Sequence, residues 1–116
     1  MKTIRNILLA TVALVPVMAM AHAKLELTVP AADSSIATMP AQVMLHFSEA
    51  VKVTAMTIEK EGGKDKVDLK VPSGASSMVQ AAAPKLGAGV YLLNWRGLSD
   101  DGHVMNGTVR FTVTGK

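Results

Sequence analysis

Asp101, Gly102 and His103 carry the residue types and spacing best suited to chemistry. Residues i and i+2 of an extended or tightly turning segment point the same way. A carboxylate and an imidazole on either side of a glycine can therefore converge on one point. Such a pair suits a borderline divalent metal such as Cu(II), for which imidazole is a favoured donor. The same three residues also read as an ordinary Asp/Gly-rich turn joining two strands. Apolar runs flank the segment at 90–95 and 108–113.

Two more histidines are present, His22 and His46. His46 lies opposite in phase to Val43, Leu45 and Phe47, which makes it an exposed or half-buried strand residue. Glu49 follows at the strand end. It is either a solvated carboxylate or an acceptor that orients a metal-bound imidazole from outside the coordination sphere. His22 follows a positive start, Met1-Lys2-Thr3-Ile4-Arg5, and an apolar run over 7–20, the layout of a secretory signal peptide. The run is short for a membrane span. Cleavage after Ala21 leaves His22 first, with a free α-amino group that can chelate a metal together with its own imidazole. Cleavage after Ala23 discards it. The expected division is a signal peptide over 1–21 and one domain over 22–116.

Removing residues 1–21 from 116 leaves 95. Loss of Lys2 and Arg5 lowers the basic count from 12 to 10 against 9 acids, so the net charge falls from +3 to +1. No basic stripe remains to argue for nucleic acid. The chain has no cysteine, hence no disulfide, thiolate ligand, catalytic thiol or lipid attachment site. No nucleophile triad, phosphate-binding glycine loop or H-E-x-x-H helix is visible. Met39, Met44, Met56, Met78 and Met105 are scattered, without M-x-x-M spacing, and isolated methionines usually fill cores.

Alternating polarity and turn residues predict seven strands, over 24–29, 42–48, 53–60, 66–71, 76–83, 90–95 and 108–114. Gly62-Gly63 marks a hairpin turn. No stretch has a helical period. The fold class is all-β, a two-sheet sandwich. Leu27, Leu45, Phe47, Leu93, Phe111 and Val113 are the expected core.

Several features occur together in order: His22-Ala23-Lys24-Leu25, Pro30, His46-Phe47-Ser48-Glu49, Gly89-Val90-Tyr91, Trp95-Arg96, Ser99-Asp100-Asp101-Gly102-His103, Gly107 and Val109-Arg110-Phe111-Thr112-Val113. This arrangement resembles the CopC family of periplasmic copper-binding proteins, from end to end of the mature chain. The resemblance implies a Greek-key sandwich of immunoglobulin-like or cupredoxin-like type. It implies one Cu(II) per chain, held by His22 through amine and ring together with Asp101 and His103, with Glu49 close by. It also implies an inner-membrane CopD-type copper transporter as partner to a periplasmic protein not itself embedded in the membrane. The methionine-rich loop that binds Cu(I) in two-site members would fall around 52–77, where no cluster is present, so the chain resembles a Cu(II)-only member. The role so implied is to sequester or deliver copper in homeostasis, resistance or uptake, without catalysis.

Two other classes stand beside it. An amino-terminal histidine with a second histidine also forms the copper site of oxidative polysaccharide-cleaving enzymes. A carboxylate ligand disfavours the reduction such chemistry needs, and one Trp and one Tyr offer little for stacking on sugars. A metal-free exported sandwich, an adhesin or a chaperone, would follow if His22 left with the signal.

Overall fold

Gln42–Lys60 forms one strand where the alternation predicts two. The computed structural model describes residues 23–116, so the expectations for the signal peptide and for His22 lie outside the described residues. The strands are β1 (Leu25–Val29), β2 (Ser35–Ile36), β3 (Gln42–Lys60), β4 (Lys66–Asp68), β5 (Ser76–Ala82), β6 (Gly89–Ser99) and β7 (Val104–Val113). The architecture is the all-β sandwich that the strand pattern implies. The number of strands agrees with the expectation, but the strands are not the same seven. Two predicted strands merge into β3. A segment read as loop supplies β2, which pairs parallel with the end of β7 through Ser35 and Thr112.

β3 organises both layers. Nineteen residues at about 3.3 Å each would extend roughly 60 Å, about twice the diameter of a small domain, so the strand has to bend. Its first half pairs with β1 and β5, and its second half with β4 and β6; β7 and β2 continue beyond β6. Irregularities fall between His46 and Val51 against β5, and between Val53 and Ala55 against β6. The burial follows these breaks. Val43, Leu45, Phe47, Val51 and Val53 are buried, then the inward phase shifts to Met56 and Ile58. A bulge of this kind changes which side of the strand faces the core. Glu49 keeps the inward parity of Phe47 and Val51 yet is exposed, because it stands where the strand passes between layers.

Leu45 and Phe47 of the first layer meet Leu93, Phe111 and Val113 of the second, all buried as expected. Phe47 and Trp95 pack edge to face with centroids 5.1 Å apart, a favoured aromatic geometry. Tyr91 stacks on Phe111 and donates its hydroxyl to the Gly87 carbonyl at 2.9 Å.

Leu27 corrects the expected core: it is 52% exposed. Leu25 pairs with Phe47 and Leu27 with His46, so two steps along β1 match one step along β3. That bulge turns Leu27 outward and places Thr28 inward, opposite Leu45. The hydroxyl of Thr28 donates to the Pro30 carbonyl at 2.8 Å, which satisfies a polar group the core would otherwise penalise. The segment predicted as strand over 66–71 is likewise shorter. Val67 is exposed, whereas Leu69 is buried and its N–H donates to the Met56 carbonyl at 2.9 Å.

Candidate metal centre

β6 and β7 form a long hairpin whose last pair is Leu98 with Val104. The turn is shorter than the sequence implies, because both strands extend into the polar stretch. Ser99 N–H donates to the His103 carbonyl at 3.0 Å, and Gly102 N–H donates to the Ser99 carbonyl at 2.9 Å. Gly102 has φ +83°, a left-handed conformation that residues with a Cβ adopt only with strain. The glycine between the two donor residues is therefore what lets this turn close.

The turn brings Asp101 and His103 together. His103 Nδ1 lies 2.6 Å from Asp101 Oδ2. The other carboxylate oxygen accepts from the Ser99 hydroxyl, and from the His103 N–H at 3.3 Å. Both side chains are open to solvent, 58% exposed for His103 and 44% for Asp101. The Ser99 hydroxyl bond, and then the His103 ring, hold the Asp101 carboxyl down at about 2. Hydrogen bonds to the charged form stabilise it. Asp101 is thus an ionised, oriented oxygen donor at neutral pH. Sequence reasoning missed Ser99; its signal was a hydroxyl residue two positions before the acid, a common turn device.

The start of the domain reaches the same rim through the middle of β3. The Lys24 N–H donates to Ser48 Oγ at 2.7 Å, and the Ser48 N–H donates to the Lys24 carbonyl at 2.8 Å. Glu49 is the next residue. Two residues further, Val51 pairs with Ser99, the residue that holds Asp101. The stretch Ser48–Val51 thus joins the first described residues to the β6–β7 turn. Ala23, at that start, is buried.

His46 is placed elsewhere. It is half-buried on the outer face of the first layer, in register with Leu27 and Met78. Among the described residues, no group of three His, Cys, Asp or Glu is close enough to hold a metal ion. Asp101 and His103 are therefore a two-residue pair, which Glu49 does not complete. His22, the further ligand expected, lies outside the described residues.

Trp95 backs the hairpin. It pairs with Gly107, where a Cβ would come within 2.7 Å of the indole Nε1. That buried nitrogen has no hydrogen-bond partner among the described residues.

Fold and turn together define a small β-sandwich that presents an ionised carboxylate and an imidazole on one rim. The CopC domain model matches residues 25–114, and the chain belongs to the CopC family. It is 39% identical over 106 residues to copper resistance protein C of Escherichia coli, covering 82% of this chain and 83% of that protein. It is 34% identical over 110 residues to copper resistance protein C of Pseudomonas syringae pv. tomato, covering 86% of each. Among solved structures it is similar to CopC from Methylosinus trichosporium OB3b, with TM-score 0.68 and 30% identity over 80% of this chain and 94% of that one. It is also similar to PcoC, a methionine-rich copper resistance protein from Escherichia coli, with TM-score 0.60 and 32% identity over 81% of this chain and all of the other.

Proposed function

We propose that this protein is an exported, periplasmic Cu(II) carrier that sequesters or delivers copper and catalyses no reaction. The observation that carries the proposal is the Asp101–His103 pair, 2.6 Å apart on a turn that shares its rim with the start of the domain. The copper resistance proteins it resembles support the choice of metal. The signal peptide ends at Ala21, so His22 supplies an amine and an imidazole. With Asp101 and His103, the donors are three nitrogens and one oxygen, a set suited to tetragonal Cu(II). Asp101 serves as a ligand oxygen. Glu49, on the strand segment that joins the two ends, acts on the site from outside the coordination sphere. The cargo passes to or from an inner-membrane CopD-type transporter.

The test compares three proteins: the chain starting at His22, the same chain with one extra residue before His22, and His103→Ala. The extension leaves every side chain intact and removes only the free amine of His22. Cu(II) affinity is measured by competition with a chelator. Both altered proteins are expected to bind far more weakly. If the extended protein binds as tightly as the mature one, the amino-terminal chelate is wrong.

A further inference from the structure

The outer side of the β6–β7 hairpin runs directly into the turn that holds Asp101 and His103. Strand register orders it in rows across β3, β6 and β7: Thr57–Asn94–Thr108, then Ala55–Arg96–Asn106, then Lys52–Leu98–Val104. Arg96 and Leu98 alternate with the buried Trp95 and Gly97, so both point away from the core. The last row adjoins the turn, since Ser99 follows Leu98 and His103 precedes Val104. Leu98 is exposed, and Val104, at 64%, is more exposed than any other large apolar side chain among the described residues.

Behind this apolar pair lies an open cleft of about 420 Å³. Its lining includes Thr57, Lys66, Asn94, Arg96, Asn106 and Thr108, and no carboxylate. Lys52, Lys66 and Arg96 form no salt bridge among the described residues. Acids stand at the end away from the turn, where Glu59 accepts from the Asn94 amide at 3.0 Å and Asp68 is opposite Thr57. Asp100 and Asp101 belong to the turn itself. The face thus offers an apolar pair next to the turn with three cations around it. Protein contacts are built in this way, with an apolar centre and a polar rim.

We propose that this face docks a partner protein that exchanges copper with the turn, and that the partner meets it with carboxylates and an apolar side chain. The proposal rests on the reading of the turn as a Cu(II) site. Copper passes between two proteins only when a donor atom of the second reaches the ion. The partner must therefore lie against the surface bordering Asp101 and His103, both of which are open to solvent. Lys52, Lys66 and Arg96 call for opposite charge on that partner, and complementary charge selects and orients it. Burial of Leu98 and Val104 then holds it in place. An anionic membrane would attract the same cations but gives copper no stronger donor set to move to.

The experiment uses the chain starting at His22 and a pair of synthetic peptides. Both peptides begin with Gly-Gly-His, which chelates Cu(II). One continues with glutamate and leucine, the other with lysine and leucine. Without copper, the acidic peptide should shift the backbone amide signals of Arg96, Leu98, Val104 and Asn106 in 15N NMR, while those of Leu27 and Met78 on the other layer stay in place. Val104→Ser should weaken this docking severalfold. With copper loaded, stopped-flow mixing at low salt should show the acidic peptide taking Cu(II) roughly tenfold or more faster than the basic one. The gap should close at high salt. Lys66→Glu/Arg96→Glu should reverse the preference and leave the circular dichroism and the Cu(II) affinity as they were. The proposal is overturned if both peptides take copper at equal rates, or if charge reversal leaves their order unchanged. It is also overturned if the double variant only loses binding to phosphatidylglycerol vesicles, which would make the face a membrane contact. Chelator competition reports separately on the turn: a parent that holds no Cu(II) refutes the metal site, while the copper-free titration still tests the docking face.

Discussion

The β6–β7 turn and the outer face of the β1–β3–β5 layer both present histidine, but they are built differently. The turn takes its pair from three consecutive residues, and Gly102 and Ser99 fix their orientation. Its donors are an ionised oxygen and a nitrogen. The outer face draws on His46 and Met78, 32 positions apart, and owes its composition to strand register. The contrast shows two ways a sandwich can bring side chains together: a local turn that pre-orients its groups, and a pairing register that aligns distant ones. The first is robust to changes elsewhere in the sheet. The second fails if the register slips, since a shift of one residue sends every side chain to the opposite face.

That dependence can be probed through the β1 bulge, where the largest difference is expected. Leu45 is fully buried and should cost about 2–5 kcal/mol when replaced by alanine. Leu27 is 52% exposed, and Leu27→Ala should cost less than about 1 kcal/mol. Urea unfolding of the two variants measures both. Equal losses would put Leu27 in the core and abolish the bulge that sets its register against His46. The turn would be untouched by that result.

Next in size is the effect of removing a ligand from the proposed Cu(II) site. Loss of a partner outside the coordination sphere typically costs about 10–100-fold in affinity, so loss of a ligand should cost more than ~100-fold. His103→Ala and the amino-terminal extension should each reach that level by chelator competition, and His46→Ala should not. A large effect of His46→Ala on Cu(II) would merge the two regions into one site.

The same contrast explains what was legible in the sequence. The pair at 101 and 103 could be read because spacing along the chain equals proximity in a turn. Strand alternation found Leu45, Phe47, Leu93, Phe111 and Val113 because β3, β6 and β7 are regular there. It failed at Leu27 because a bulge adds Glu26 to β1, and period-two reasoning has no term for an inserted residue. It failed to join residues 42–48 to 53–60 because Ser48 and Glu49 look like a break in a strand, while the register shift at Val53–Ala55 falls inside the strand predicted over 53–60. They mark the bend and the phase change of one strand serving two layers. The neighbourhood of His46 and Met78 was not legible, since no local pattern encodes which strand lies beside which.

Ser99→Ala sharpens the claim that the turn is pre-oriented. It removes the hydroxyl that Asp101 accepts and leaves both proposed ligands in place. Cu(II) affinity should fall by about tenfold, the lower end for a supporting partner. The Asp101 carboxyl should titrate closer to its ordinary value, a change that 13C NMR of the carboxyl carbon reads directly. If the carboxyl still titrates at about 2, His103 alone holds it down, and Ser99 has no part in preparing the site.

The smallest effect expected concerns stability of the metal-free protein against acid. The Asp101 carboxyl is lowered from 3.8 to about 2 by the Ser99 and His103 contacts. A depressed carboxyl favours the folded state above its unfolded value, and that contribution disappears as pH falls through the folded value. The loss from Asp101 should therefore occur between about pH 4 and pH 2. The carboxylate is open to solvent, so the contribution is small and screened by salt. Copper behaves differently: its imidazole and amine donors must be deprotonated to bind, and histidine side chains ordinarily titrate near ~6.5. Cu(II) should therefore leave at a pH well above that at which the Asp101 contact is lost. Measuring unfolding midpoints and copper occupancy from pH 8 to pH 2, for the parent and for Asp101→Asn, separates the two. In the metal-free proteins the midpoints should converge as pH falls from about 4 to about 2. If they stay parallel below pH 4, the Asp101 carboxyl is not held down in the folded state, and the turn is less rigidly prepared than its hydrogen bonds imply.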